Sequence, residues 1–189
     1  MSRYFDNPPK FQILHCLVNR VVGGSSIFVD AFERAYKLRE VDRAAFDLLT
    51  RSPVNFHYDN DGHFHHCAHP TIELNTFPGP DGEHSIKHIN YSPPFQAPFP
   101  LDTSPELWRA LALYTDLLDE PRGRFEYTLR EGDAVLFDNR RVLHARTAFT
   151  NRPGNENSLE TSRWLKGCYL EADPLFDKAR MLRRELESN

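Results

Sequence analysis

A chain of 189 residues, 40% hydrophobic and 12% aromatic with 14 Phe, has the material for one cored domain, residues 1–189, and is excluded from the disordered and fibrous classes. Its formal charge of −4, with no basic run interleaved with aromatics, excludes a nucleic-acid partner and suits a small polar substrate. Cys16, Cys67 and Cys168 form no CxxC pair and no run of about 18 apolar residues occurs, so neither a disulfide framework nor a membrane span is expected.

Met1–Lys10 reads as neither a signal peptide nor a transit segment, and it runs straight into a strand, as a chain beginning inside a domain would. A reducing, intracellular compartment is expected, with cytoplasm and mitochondrion both open. Phe11–Val18 is apolar with an embedded histidine and suits a mostly buried strand after Pro8-Pro9, which excludes a helix there. Gly23-Gly24 predicts a tight turn. Ser25-Ser26 then reads as the cap of a helix whose Phe28, Phe32, Ala35 and Tyr36 recur at helical spacing. A second helix is expected from Asp42 to just before Pro53. The strand, Gly-Gly, helix order is no dinucleotide fingerprint, because GxGxxG is missing.

His57, His63, His65, His66 and His69 crowd around Cys67, but no second cysteine completes a zinc spacing, so two strands joined by a histidine-rich loop at Asn60-Asp61-Gly62 are predicted, without a dedicated metal site. Short strands are expected at Ile72–Asn75 and Ser85–Tyr91. The proline-rich segment 92–100 covers a cleft or connects elements. Ser104-Pro105 starts a helix whose Leu107, Leu111, Tyr114 and Leu118 share one face, expected to pack on a sheet. Arg124–Arg130 alternates, placing Phe125, Tyr127 and Leu129 inward. A last helix begins at Asp173-Pro174, with Leu175, Ala179, Leu182 and Leu186 on one stripe and a solvated basic face.

The stretch 132–169 reads as strand, turn, strand with ionisable groups inside. In Val142–Phe149, His144 shares a face with Val142 and Arg146. With Pro153-Gly154 at the turn centre, His144 and Arg163 each lie nine residues away and are expected to be cross-strand neighbours. A neutral imidazole able to bind metal beside a guanidinium able to clamp a carboxylate is a chemically sensible pair. Many short strands with few helices predict a mainly β fold with flanking helices, of jelly-roll kind.

GDAVLFDNRRVLHARTAF followed by TSRWLKGCYLEADPLFDKARMLR, together with PPKFQILHCLVNRVVGGSSIFVDAF upstream, resembles the C-terminal catalytic core of γ-butyrobetaine and trimethyllysine dioxygenases, within the taurine dioxygenase superfamily. The resemblance implies a double-stranded β-helix, here N-terminally incomplete, with Fe(II) held by two histidines and a carboxylate, 2-oxoglutarate as co-substrate and ascorbate as an optional reductant. It implies hydroxylation of a small trimethylammonium substrate, as in carnitine biosynthesis. By the same resemblance His144 is the second iron histidine and Arg163 the clamp on the distal carboxylate of 2-oxoglutarate. Ser26 and Asn90 are placed at the co-substrate, and Tyr169 is an aromatic of the cage around the trimethylammonium group. The family's His-x-Asp precedes the segment matching YFDNPPKFQILHC, where this chain has Met1-Ser2-Arg3. Two expectations follow: the sequence is a piece of a longer oxygenase, or it is a shortened binding or regulatory module without iron chemistry. Strands without their partners leave open edges, so an oligomer covering such an edge is expected.

Overall fold

The computed structural model describes residues 5–152 and 162–188. In chain order these form β1 (Phe11–Asn19), β2 (Val21–Gly23), β3 (Ser26–Asp30), α1 (Ala31–Val41), α2 (Arg43–Arg51), β4 (Pro53–Asn60), β5 (His63–Pro70), β6 (Ile72–Leu74), β7 (Ile86–Ile89), α3 (Pro105–Asp119), β8 (Arg124–Tyr127), β9 (Ala134–Asp138), β10 (Val142–Arg146), β11 (Phe149–Asn151), β12 (Arg163–Leu170) and α4 (Ala172–Glu187). The sheets are β12-β1-β9, β10-β3-β8, β11-β2, β4-β5 and β6-β7. The fold is mainly β with flanking helices, as the alternating strand patterns predict. Two compact units are distinguished, one from residues 5–8, 28–125 and 140–144, the other from 9–27, 126–139, 145–152 and 162–188.

In the first unit α1, α2 and α3 pack on one another. Asp30 caps α1 by accepting from the Phe32 and Glu33 amides, Asp42 caps α2, and Ser104 caps α3 ahead of Pro105. Leu38, Leu49, Ala110 and Tyr114 are buried between these helices, and the Tyr114 hydroxyl donates to the Ala31 carbonyl at 2.9 Å. Burial pushes the Tyr114 phenol well above its ordinary range. The expected packing of α3 on a sheet is therefore corrected, because its apolar stripe is taken up by the other two helices. The histidines at 57–69 lie on the paired strands β4 and β5 around the Asp61-Gly62 turn rather than in a loop, with His57 opposite His66. The proline-rich segment lies along β4, where the Ala97 amide donates to the Asn55 carbonyl.

In the second unit β1 is the middle strand of β12-β1-β9. Alternation puts Gln12, Leu14 and Cys16 on one face, opposite Tyr169, Gly167 and Leu165 of β12, with a register shift between Cys16 and Val18 before Asn19 meets Arg163. On β9, Phe137 and Val135 stand opposite Gln12 and Leu14. This face is the covered one: Gln12 and Cys16 are buried, as is Phe137, while Leu136 and Trp164 on the reverse face are exposed.

Three sequence expectations change here. Ser26 does not cap a helix but opens β3, because Gly23 and Gly24 take φ of +82° and +74° and turn the chain into a strand that ends at the true cap, Asp30. Of the residues expected inward on Arg124–Arg130, Leu129 is buried but Phe125 and Tyr127 are exposed, since β8 is an edge strand. The apolar stripe of α4 is predicted correctly as a helix, yet Leu182 and Leu186 are exposed.

Candidate active site

Arg163 and Tyr169 leave the same face of β12, six residues apart, and Ser26 lies in the same unit. Arg163 is half-buried. Its Nη2 donates to the Gly24 carbonyl at 3.4 Å, while its Nε is buried without a hydrogen-bond partner among the described residues. Its guanidinium carbon stands 5.3 Å from the Phe149 ring centroid, and that of Arg146 stands 4.7 Å from the same ring. Burial lowers the pKa of Arg163, the charge of Arg146 lowers it further, and the Cys16 thiol opposes both. No carboxylate among the described residues pairs with it. A half-buried cation with an unused N–H and no counter-ion among the described residues is chemically able to receive an anion, and the planar fork suits a carboxylate.

The surroundings of Arg163 follow from local sequence. Gly24 lets backbone approach the guanidinium: a Cβ there would lie 3.2 Å from Arg163 Nε and 3.3 Å from both Phe149 Cβ and Val21 Cγ2. Gly23 pairs with Phe149, which fixes the ring against this turn. Cys16, buried below, donates through Sγ to the Leu129 carbonyl at 3.6 Å, and burial raises its pKa. Ser26 is 5% exposed at the head of β3; its neighbour Ser25 bonds the Thr128 hydroxyl at 2.8 Å. Sequence reasoning placed Arg146 on the face of His144 by alternation, but did not foresee it or Phe149 beside Arg163.

The first unit holds His144 and Asn90. His144 is half-buried near the middle of β10. The expected cross-strand neighbourhood of His144 and Arg163 is corrected. Strand β10 pairs with β3 and β12 pairs with β1, so the two residues are not partners in a ladder, and the predicted single strand Val142–Phe149 is interrupted before β11. The turn centre at 153–154 lies outside the described residues. Asn90 is 1% exposed, donating to the Pro70 carbonyl at 2.9 Å and accepting from Arg140 at 3.0 Å. Its amide is satisfied from within its own unit. Arg140 in turn faces Glu73, whose pKa is raised by burial but lowered overall by Lys87, His88 and Arg140.

Residues 1–169 match the family model described as "Taurine catabolism dioxygenase TauD, TfdA family". The chain belongs to the TauD/TfdA dioxygenase family. It is 54% identical over 181 residues to "Dioxygenase str8" of Strobilurus tenacellus, covering 95% of this chain and 42% of that protein. It is 36% identical over 178 residues to a γ-butyrobetaine dioxygenase of Pseudomonas sp. (strain AK-1), covering 93% and 43%. An asparagine oxygenase solved with Fe(II), hydroxyasparagine and succinate shares the fold at a TM-score of 0.62 and 18% identity, over 90% of this chain and 48% of that one. The double-stranded β-helix is thus the fold, and Fe(II) and 2-oxoglutarate are the family's cofactors. The chain spans less than half the length of the curated relatives it matches.

The residues present fit the two cofactors unequally. Arg163, with its unpartnered Nε and no counter-ion, fits a carboxylate of 2-oxoglutarate. No group of three His, Cys, Asp or Glu side chains able to hold a metal gathers among the described residues, so His144 alone does not make an iron site. No helix among the described residues is long and apolar enough to cross a membrane.

Proposed function

We propose that this chain forms the co-substrate-binding part of an Fe(II)- and 2-oxoglutarate-dependent oxygenase that acts on a small trimethylammonium compound of the γ-butyrobetaine type. The observation that carries the reading is Arg163, a half-buried guanidinium on the covered side of the sheet without a carboxylate partner among the described residues. Its fork takes the distal carboxylate of 2-oxoglutarate, Phe149 fixes the fork's plane, and Ser26 supplies a hydroxyl nearby. Asn90, by the resemblance a co-substrate residue, accepts from Arg140 and donates to the Pro70 carbonyl. His144 contributes one imidazole to iron, whose oxidative chemistry, with 2-oxoglutarate, the cofactors supply when bound. Tyr169, 40% exposed, offers an aromatic face to a quaternary cation. The trimethylammonium class is supported by Tyr169 and by the likeness to the γ-butyrobetaine dioxygenase of Pseudomonas; the relative at 54% identity is named only as a dioxygenase.

The test is succinate release by the protein with Fe(II), 2-oxoglutarate and a panel of small substrates. Release stimulated by γ-butyrobetaine or trimethyllysine and lost in His144→Ala supports the reading; stimulation only by compounds without a quaternary nitrogen contradicts the substrate class. A second reading, a binding or regulatory module that takes 2-oxoglutarate without turnover, is favoured by one observation: the described residues gather no three metal donors. Saturable 2-oxoglutarate binding with no succinate under any condition would select it.

A further inference from the structure

Gln12 is 3% exposed in the middle strand of β12-β1-β9, and its Oε1 is buried with no hydrogen-bond partner among the described residues. An unsatisfied buried carbonyl is disfavoured, and natural cores carry few, so the position calls for a reason. Its cross-strand neighbours supply one. Gln12 stands opposite Tyr169 on one side and Phe137 on the other, so the row across this face reads aromatic, amide, aromatic. Opposite residues of an antiparallel pair have Cβ atoms about 5 Å apart, close enough for one small group to touch neighbouring members of the row. Next along the same face of β12, Gly167 allows close approach of the two strands: a Cβ there would lie 3.3 Å from Leu14 Cδ2 and 3.8 Å from Gln12 Nε2.

We propose that Gln12 is a specificity-determining residue for the substrate's cationic head, its carbonyl dipole and the Tyr169 ring together favouring a quaternary ammonium over an uncharged group of the same shape. This rests on the trimethylammonium reading above and extends it to a residue to which the resemblance assigned no role. A quaternary nitrogen has no N–H, and its charge is spread over the methyl hydrogens. Such a group is recognised by aromatic faces and by oxygens that accept weak C–H contacts. A carbonyl oxygen left without an N–H or O–H donor in the free protein is suited to that task. A primary ammonium or a hydroxyl would instead saturate it through a single strong bond.

The experiment measures binding of γ-butyrobetaine and of its carbon isostere 5,5-dimethylhexanoate to the chain, by calorimetry or ligand-dependent melting, for the wild type, Gln12→Leu and Gln12→Met. Wild type is expected to prefer γ-butyrobetaine. Both variants are expected to melt no lower than wild type, because the unsatisfied oxygen is gone, and to lose about fivefold of that preference, the scale of one or two C–H···O contacts. Tyr169→Leu should reduce the same ratio independently. Variants that melt lower with an unchanged ratio would identify Gln12 as a structural amide and overturn the proposal while leaving the substrate class standing. A wild type with no preference between the two probes would overturn the trimethylammonium reading, and this proposal with it.

Discussion

Gly24→Ala tests the geometry around Arg163 most sharply. The backbone at this position has φ of +74°, where an L side chain costs about 1–2 kcal/mol. The new Cβ would also meet Arg163 Nε at 3.2 Å, Phe149 Cβ at 3.3 Å and Val21 Cγ2 at 3.3 Å. The guanidinium end can move, but Phe149 and Val21 belong to the paired strands β11 and β2 and yield little. Overpacking of this kind adds about 1–3 kcal/mol, for a total of about 2–5 kcal/mol. Gly132→Ala is the control: it lies in the same unit with φ of +94° and nothing within 4 Å, so it carries the backbone cost alone. Urea unfolding of the two variants, with the denaturant slope unchanged, should show Gly24→Ala as clearly the less stable. Because the guanidinium is the neighbour that yields, Gly24→Ala should also weaken 2-oxoglutarate binding, which Gly132→Ala should leave alone. Equal costs for the two variants, with equal ligand affinities, would refute the close packing of Gly24, Arg163 and Phe149.

Further outcomes follow from the same contacts. Tyr114→Phe removes the donor to the Ala31 carbonyl and should cost about 1–2 kcal/mol in urea unfolding, as expected when a buried acceptor is left unpaired; an unchanged midpoint would place that carbonyl in contact with water. Burial raises the pKa of Asp30, but its hydrogen bonds and ion pair with Arg141 and the α1 amides outweigh it and leave the pKa lowered. A carboxyl with a folded pKa below its unfolded value contributes stability above the unfolded pKa of about 3.9 and loses it as pH falls through the folded value. Asp30→Asn should therefore flatten the loss of melting temperature on acidification below about pH 4; a parallel acid limb in both proteins would contradict this. In the second unit, His15 and Lys166 face each other on the exposed side of the sheet, and Lys166→Ala is expected to change stability by less than about 0.5 kcal/mol in urea, as surface substitutions do.

The β strands and capped helices were legible because their signals are local. The apolar run Phe11–Val18, the Asp42 and Ser104 helix starts and the Asp61-Gly62 turn each act within a few residues. Pairings were less so, because register depends on partners far away in sequence. The symmetric count around Pro153-Gly154 made His144 and Arg163 neighbours, whereas each strand pairs with an N-terminal strand instead. Ser25-Ser26 misled for a related reason: a serine pair after Gly-Gly caps a helix as plausibly as it opens a strand, and Asp30 settled the matter four residues later. For the candidate site, His144, Arg163, Ser26, Asn90 and Tyr169 were put forward through resemblance. Gly24, Phe149 and Arg146 around Arg163 were not, because their roles come from ring and backbone proximity rather than from residue type. Gln12 was invisible altogether, since a glutamine inside an apolar strand becomes informative only once its oxygen is seen without a partner.

The central claim is that Arg163 is a carboxylate receptor, and calorimetric titration of metal-free protein with 2-oxoglutarate tests it directly. Wild type should bind one equivalent, with competition by succinate. Arg163→Gln should weaken binding by about 10–100-fold, the worth of a charged hydrogen bond, without lowering the urea midpoint of the free chain, because the guanidinium pairs with no carboxylate among the described residues. Undiminished binding by Arg163→Gln, or no binding by the folded wild type, would contradict the assignment.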